Sequence, residues 1–250
     1  MRLVVLVLAS VIVAISAQAG PPFVTDDPET PPLHGWEINI PIILERESGE
    51  QTLETPLFDI NYGYRGNVQL KVEFSLLNVR LGEGQTQRGL SDTSVGVKWR
   101  FLEESQGLPQ IAIYPQVTLP TGDHQRGLGD GKSSYRFPVV AQKSWGPWTV
   151  FGNIAAVVQN TAGSRTFWYQ GLTVVREVSH TLELGVEEYG NSATDEDERS
   201  SLGYNLGGTW KVADSMNVLF SAGQIVRGRH ATTAYLGIQV LAGGSKANSE

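Results

Sequence analysis

The sequence predicts an all-β protein, an antiparallel up-and-down transmembrane β-barrel of about twelve strands. Three observations predict it: strict alternation of apolar and polar side chains, connections that alternate between short and long, and an N-terminal segment with the order of an export signal. After residue 20 no apolar stretch approaches the roughly 18 residues of a membrane helix, so crossing a bilayer falls to strands.

The export segment comes first. Arg2 precedes an apolar run from Leu3 to Ile15, and Ala17, Gln18 and Ala19 supply the small residues before a cleavage expected after Ala19. The run is shorter than the roughly 20 residues of a spanning helix. The chain has no cysteine, which excludes a disulfide-stapled fold and a lipid-anchored amino terminus. Its formal net charge is -7 and its basic residues are scattered, so no nucleic-acid face is expected. Residues 1–19 are therefore assigned to the signal, 20–33 to a proline-rich periplasmic arm or lumen plug, 34–240 to the barrel and 241–250 to a polar tail.

Within the barrel, Val68, Leu70, Val72 and Phe74 alternate with Gln69, Lys71, Glu73 and Ser75, the period of a strand. The same alternation sets Trp36, Ile38, Ile40, Ile42 and Leu44 against Glu37, Asn39 and Glu45. It sets Phe58, Ile60, Tyr62 and Tyr64 against Asp59 and Asn61, and Val95, Val97, Trp99 and Phe101 against Ser94, Lys98 and Arg100. Continued along the chain, it gives strands near 34–45, 53–64, 67–77, 92–102, 109–119, 134–144, 148–159, 166–176, 180–190, 201–211, 216–226 and 231–240. Each approaches the roughly 10 residues that a tilted strand needs to cross a membrane.

The connections sort by length. Starting from the periplasm, the even-numbered turns (65–66, 103–108, 145–147, 177–179 and 212–215) are short, whereas 46–52, 78–91, 120–133, 160–165 and 191–200 are longer and face outward. Only the short 227–230 departs from the pattern. On this topology Trp36, Trp99, Trp145, Trp148 and Trp210, with Tyr62 and Tyr64, form a periplasmic girdle. Tyr135, Phe167, Trp168 and Tyr189 form an outer one.

The inward faces of four consecutive strands carry Glu37, Asp59, Lys71, Glu73, Lys98 and Arg100. Enclosed charges are costly unless paired or hydrated, so a cross-strand network that narrows the lumen is expected. It would serve either as a selectivity element or as cross-bracing.

Several stretches also carry a resemblance. PFVTDDPETP over 22–31, Gly35 to Ile38, Gly89 to Asp92, Gly96 to Phe101, Leu119 to Asp123 and Gly127 to Gly129 are similar to the outer-membrane β-barrel transporter and channel family associated with the phenol meta-pathway of degradation. The resemblance spans nearly the whole mature chain. It implies an outer-membrane channel for passive passage of small hydrophobic or aromatic solutes. A difference lies at the end: outer-membrane barrels commonly finish on an aromatic residue, whereas Val240 here is followed by LAGGSKANSE.

Other motifs point nowhere in particular. Gly131-Lys132-Ser133 has Arg126 where a phosphate loop requires glycine. His34, His124, His180 and His230 lack a second ligand at metal spacing. Ser133 or Ser134 with His124 is the sole candidate for an outer-membrane lipase, and no third group is evident. Asp195 to Glu198 reads as a solvated acidic loop. Arg80, Arg88, Arg126, Lys132, Arg165, Arg227 and Arg229 fall on the outer side, within reach of lipid phosphates. The expected partners are outer-membrane lipids and small solutes; no cofactor or metal is expected, and oligomeric state is open. The alternative is a barrel that braces the envelope or binds a partner without transporting.

Overall fold

The structure, a computed structural model, describes residues 21–47, 50–80, 86–160, 165–194 and 199–244. The export segment, the acidic run Asp195 to Glu198 and the end of the tail from 245 lie outside these residues.

Fourteen strand segments follow one another: β1 Gly35–Glu47, β2 Glu50–Arg65, β3 Val68–Arg80, β4 Thr86–Leu90, β5 Thr93–Leu102, β6 Gln110–Ile113 and β7 Gln116–Leu119. They continue as β8 Ser134–Trp145, β9 Trp148–Gln159, β10 Phe167–Ser179, β11 Leu182–Asn191, β12 Ser201–Ala213, β13 Met216–Arg227 and β14 Ala231–Gly243. Each pairs antiparallel with its neighbours, and β14 pairs with β1 from Gly35 opposite Gly243 to Glu47 opposite Ala231. The result is a closed barrel of twelve antiparallel strands, two of them interrupted. Closure leaves no unpaired edge, which is what lets a sheet sit in lipid.

Both interruptions differ from the expected strands. The span 109–119 divides at Tyr114-Pro115: proline has no N–H to donate to the ladder, and Tyr114 turns fully inward, 1% exposed. The expected loop 78–91 is largely strand, because β3 runs on to Arg80 and folds back as β4 in a hairpin from Leu76 opposite Leu90 to Arg80 opposite Thr86. Likewise β1 and β2 extend to Glu47 and Glu50, shrinking the connection expected over 46–52, and β14 continues to Gly243, past the expected barrel end at 240. Longer connections still gather at one end: 120–133, 160–166 and 192–200. The other end carries the tight turns at 66–67, 146–147, 180–181 and 214–215 and the medium-length 103–109.

The faces are sorted opposite to a water-soluble protein. Outside stand Ile40, Leu70, Val97, Ile154, Leu172, Val186, Leu206 and Leu236, all exposed, whereas Asn39, Asp59, Asn61, Gln69, Lys98, Gln142, Asn153 and Glu187 are buried within. A contiguous apolar exterior of this extent needs an apolar solvent. At the turn end Trp36, Trp99, Trp145, Trp148 and Trp210 point outward, with Arg176 over the Trp148 ring at 5.1 Å; Tyr135 and Trp168 do so at the loop end. Phe167 and Tyr189, expected in the outer girdle, instead face inward at 9% exposure each. Alternation forces this for Phe167, since Trp168 beside it takes the outward position.

Candidate functional site

The interior holds a cavity of about 640 Å³. Residues 21–32, which precede β1, run inside the barrel and floor it. The glycines of the wall make room: a Cβ at Gly63 would lie 2.1 Å from the Pro32 carbonyl oxygen, one at Gly171 2.1 Å from Thr25 Oγ1, and one at Gly185 2.9 Å from the Phe23 ring. Thr25 and Asp27 are buried, at 0% and 1% exposure.

Polar contacts tie this arm to the wall around its circumference. Lys98 Nζ donates to Asp26 Oδ1 at 2.8 Å and to the carbonyls of Asp27 and Glu29 at 2.7 and 3.2 Å. Its ammonium also lies 4.8 Å from the centre of the Tyr114 ring. Arg100 donates to Glu29 at 3.0 Å, to Glu103 at 3.0 Å and to the Gly66 carbonyl at 2.8 Å. From the opposite wall Ser221 Oγ donates to the Pro22 carbonyl at 2.7 Å, and Glu187 accepts from the Thr25 amide and, at 2.6 Å, from Asn205.

A second network stays within the wall. Lys71 pairs with Asp59 across the strands at 3.2 Å and with Glu73 along its own strand at 2.8 Å. Asn39 and Asn61 donate to Asp59 at 3.1 and 3.0 Å, and Asn39 reaches Glu37 at 3.2 Å. Each charge of this network therefore has an opposite charge or amide partner, the condition on which it can be enclosed.

Glu37, Asp59, Lys71, Glu73 and Lys98 line the cavity; Arg100 sits at the turn-end rim, engaged with Glu29 and Glu103. The expected network is thus divided in two, because Lys98 and Arg100 reach for the arm. Sequence reading missed the other wall, where Val157, Phe167, Tyr169, Tyr189 and Ile225 present an aromatic and aliphatic face to the same cavity. The cavity is amphipathic, with Glu37, Asp59, Lys71, Glu73 and Lys98 on the β1 to β5 side and Val157, Phe167, Tyr169, Tyr189 and Ile225 on the β9 to β13 side.

At the loop end, residues 120–133 fold back over the wall. Asp92 accepts from the amides of Gly122 at 2.8 Å and Asp130 at 2.7 Å, and Arg126 donates to Gln87 at 3.1 Å and to the Arg88 carbonyl at 3.0 Å. Leu128 is buried beneath β4, where a Cβ on Gly89 would come within 2.7 Å of it. Partial burial, and then the neighbouring Asp92 carboxylate, hold the Asp130 carboxyl above its ordinary range. His124 Nδ1 contacts the Gly129 carbonyl at 3.2 Å, and among the described residues neither Ser133 nor Ser134 hydrogen-bonds to it. Arg229, counted among the outer arginines, pairs with Glu45 and Glu47 across the β1–β14 seam. No three His, Cys, Asp or Glu side chains converge as a metal site among the described residues.

The family model described as "Putative MetA-pathway of phenol degradation" matches residues 38–237, the barrel almost from end to end. The chain belongs to this family. Several solved structures are similar to it. An outer-membrane channel from Pseudomonas putida F1 aligns with TM-score 0.69 at 13% identity, over 86% of this chain and 98% of that one. The NanC porin aligns with TM-score 0.61 at 7% identity, over 81% and 98%. The CymD monoaromatic hydrocarbon channel aligns with TM-score 0.50 at 7% identity, over 85% and 90%. At such identities the likeness is one of fold. No curated protein matches the chain. For a member of the phenol-pathway family, the interior just described is the place to look for function.

Proposed function

We propose that this chain is an outer-membrane channel through which small hydrophobic or aromatic solutes pass passively. The amphipathic cavity inside a closed, outwardly apolar barrel carries the proposal. A ring can lie on the Phe167, Tyr169 and Tyr189 side while its polar group faces the charged side, the division of labour common to small-molecule sites. The names of similar folds, a monoaromatic hydrocarbon channel and porins among them, support the same reading. In this reading the turn end faces the periplasm and the loop end the exterior. Residues 1–19 direct export, and the arm is a plug whose attachment through Lys98 and Arg100 sets how freely solute passes.

The pairing of Lys71, Lys98 and Arg100 with carboxylates also favours a second reading, a bracing barrel that transports nothing. One experiment separates the two. The mature chain is reconstituted in vesicles, and ion conductance and uptake of a small aromatic alcohol are measured for wild type and for the Lys98→Ala, Arg100→Ala double variant. The channel reading expects wild-type uptake and raised conductance in the variant, since a charge in a narrow lumen is felt by every passing solute. Silence in both, with the variant merely less stable, would leave the brace.

A further inference from the structure

The basic groups lining the cavity are committed elsewhere with one exception. Lys71 holds Asp59 and Glu73, Lys98 holds Asp26 and Arg229 holds Glu45, whereas Arg136 forms no ion pair among the described residues. Its guanidinium carbon stands 4.5 Å from the centre of the Tyr169 ring, and its Nε is buried without a hydrogen-bond acceptor. A guanidinium with one face on a ring directs its N–H groups edgewise, and a buried donor without a protein acceptor is stabilised by an anion.

Its surroundings define the anion. Arg136 is the register partner of Val157, which in turn is the partner of Phe167, so the three stand in one row across β8, β9 and β10. Neighbouring strands lie about 4.8 Å apart, so the backbones of Arg136 and Phe167 stand about 10 Å apart along that row. On the other side Arg136 faces Gln116. Tyr189, inward and nearly buried, lines the same wall. The guanidinium thus reaches from β8 to the β10 ring of Tyr169, and Val157 and Phe167 of the same row line the cavity with it. Elsewhere the cavity carries a surplus of carboxylates, which disfavours a free small anion and leaves the ring contacts to make the difference.

We propose that Arg136 and the ring wall beside it bind the carboxylate of a small aromatic acid, the guanidinium edge taking the carboxylate and the Val157, Phe167 and Tyr189 wall taking the ring. This rests on the channel reading and gives it a solute class, with Arg136 as the residue that sets specificity.

The test uses the full mature chain in detergent, titrated separately with benzoate, with benzyl alcohol as a neutral ring of similar size, and with acetate as an anion without a ring. Benzoate should bind about tenfold or more tightly than either, since one charge-assisted contact of about 1.4 kcal/mol is a factor of ten. Arg136→Gln should remove that preference while leaving benzyl alcohol within about twofold, and Arg136→Lys, which keeps charge but loses the planar fork, should restore it only in part. Heat-dependent gel mobility establishes that each variant is folded, and Arg136→Lys carries the comparison if Arg136→Gln is not. Equal binding of benzoate and benzyl alcohol by wild type, or an unaltered preference in the folded variants, overturns the proposal. Vesicle uptake of benzyl alcohol and of benzoate is followed in parallel. Passage without carboxylate preference defeats this inference alone, whereas carboxylate binding without passage of either solute defeats the channel reading instead.

Discussion

Replacing Lys98 by alanine should set the arm loose while leaving the barrel closed. The ammonium is 4% exposed and satisfies the partly buried Asp26 carboxylate and two arm carbonyls at 2.7 to 3.2 Å, so its removal strands that carboxylate and both acceptors. Breaking a buried pair by deleting one partner costs about 3–5 kcal/mol. Applied to arm docking, that raises the undocked population by about 10²- to 10⁴-fold, an upper bound because water entering the lumen recovers part of the loss. The remaining ties, Arg100 to Glu29, the Thr25 amide to Glu187 and Ser221 to the Pro22 carbonyl, flank the Asp26-Asp27 stretch that Lys98 holds. The sequence contains no cysteine, so Thr25→Cys, at a fully buried arm position, supplies a single reporter. Its rate of reaction with a maleimide should rise by at least tenfold when Lys98→Ala is added, with heat-dependent mobility retained and Lys98→Arg largely restoring protection. An unchanged labelling rate in a folded Lys98→Ala barrel would refute the claim that this lysine anchors the arm.

Three further outcomes are expected. Gly171→Ala, whose new Cβ would stand 2.1 Å from Thr25 Oγ1, should expose the same reporter cysteine without touching any charge, as measured by maleimide labelling. Leu206→Arg, on the outward face of β12 at 60% exposure, should cost about 2–4 kcal/mol in urea unfolding from vesicles, whereas Trp210→Arg toward the turn end should cost roughly 1 kcal/mol or less for the charge itself. Asp92→Ala removes the acceptor for the Gly122 and Asp130 amides, so trypsin added to intact cells should cut at Arg126 several times faster, with no change in barrel stability.

Strand number and facing were legible in the sequence because a period of two is written locally: Trp36 to Leu44 needs no knowledge of its neighbours to declare two faces. Inward charges could be read for the same reason. The destinations of those charges could not, since Lys98 and Asp26 are 72 positions apart and the arm carries no period. Composition did hold an unused signal, namely that Gly63, Gly171 and Gly185 all fall on inward positions, where a strand glycine marks the close approach of another backbone. Pro115 inside an expected strand was a second such mark. The hairpin of β4 escaped because Thr86 to Leu90 is too short to show alternation, and the inward rings of Phe167 and Tyr189 escaped because strand-end position was read without facing.

The seam between β1 and β14 joins residues about two hundred positions apart along all thirteen residues of β1. Counting β4 with β5 and β6 with β7 as one strand each, every other wall contact forms between strands consecutive in the chain, so the growing sheet can be assembled locally until this last step, which carries the greatest loop-closure cost. Until then β1 and β14 each present a row of unpaired amides and carbonyls, the template on which a second chain would add. Before Gly243 meets Gly35, the sheet is an open ribbon with two adhesive margins, both of which need shielding.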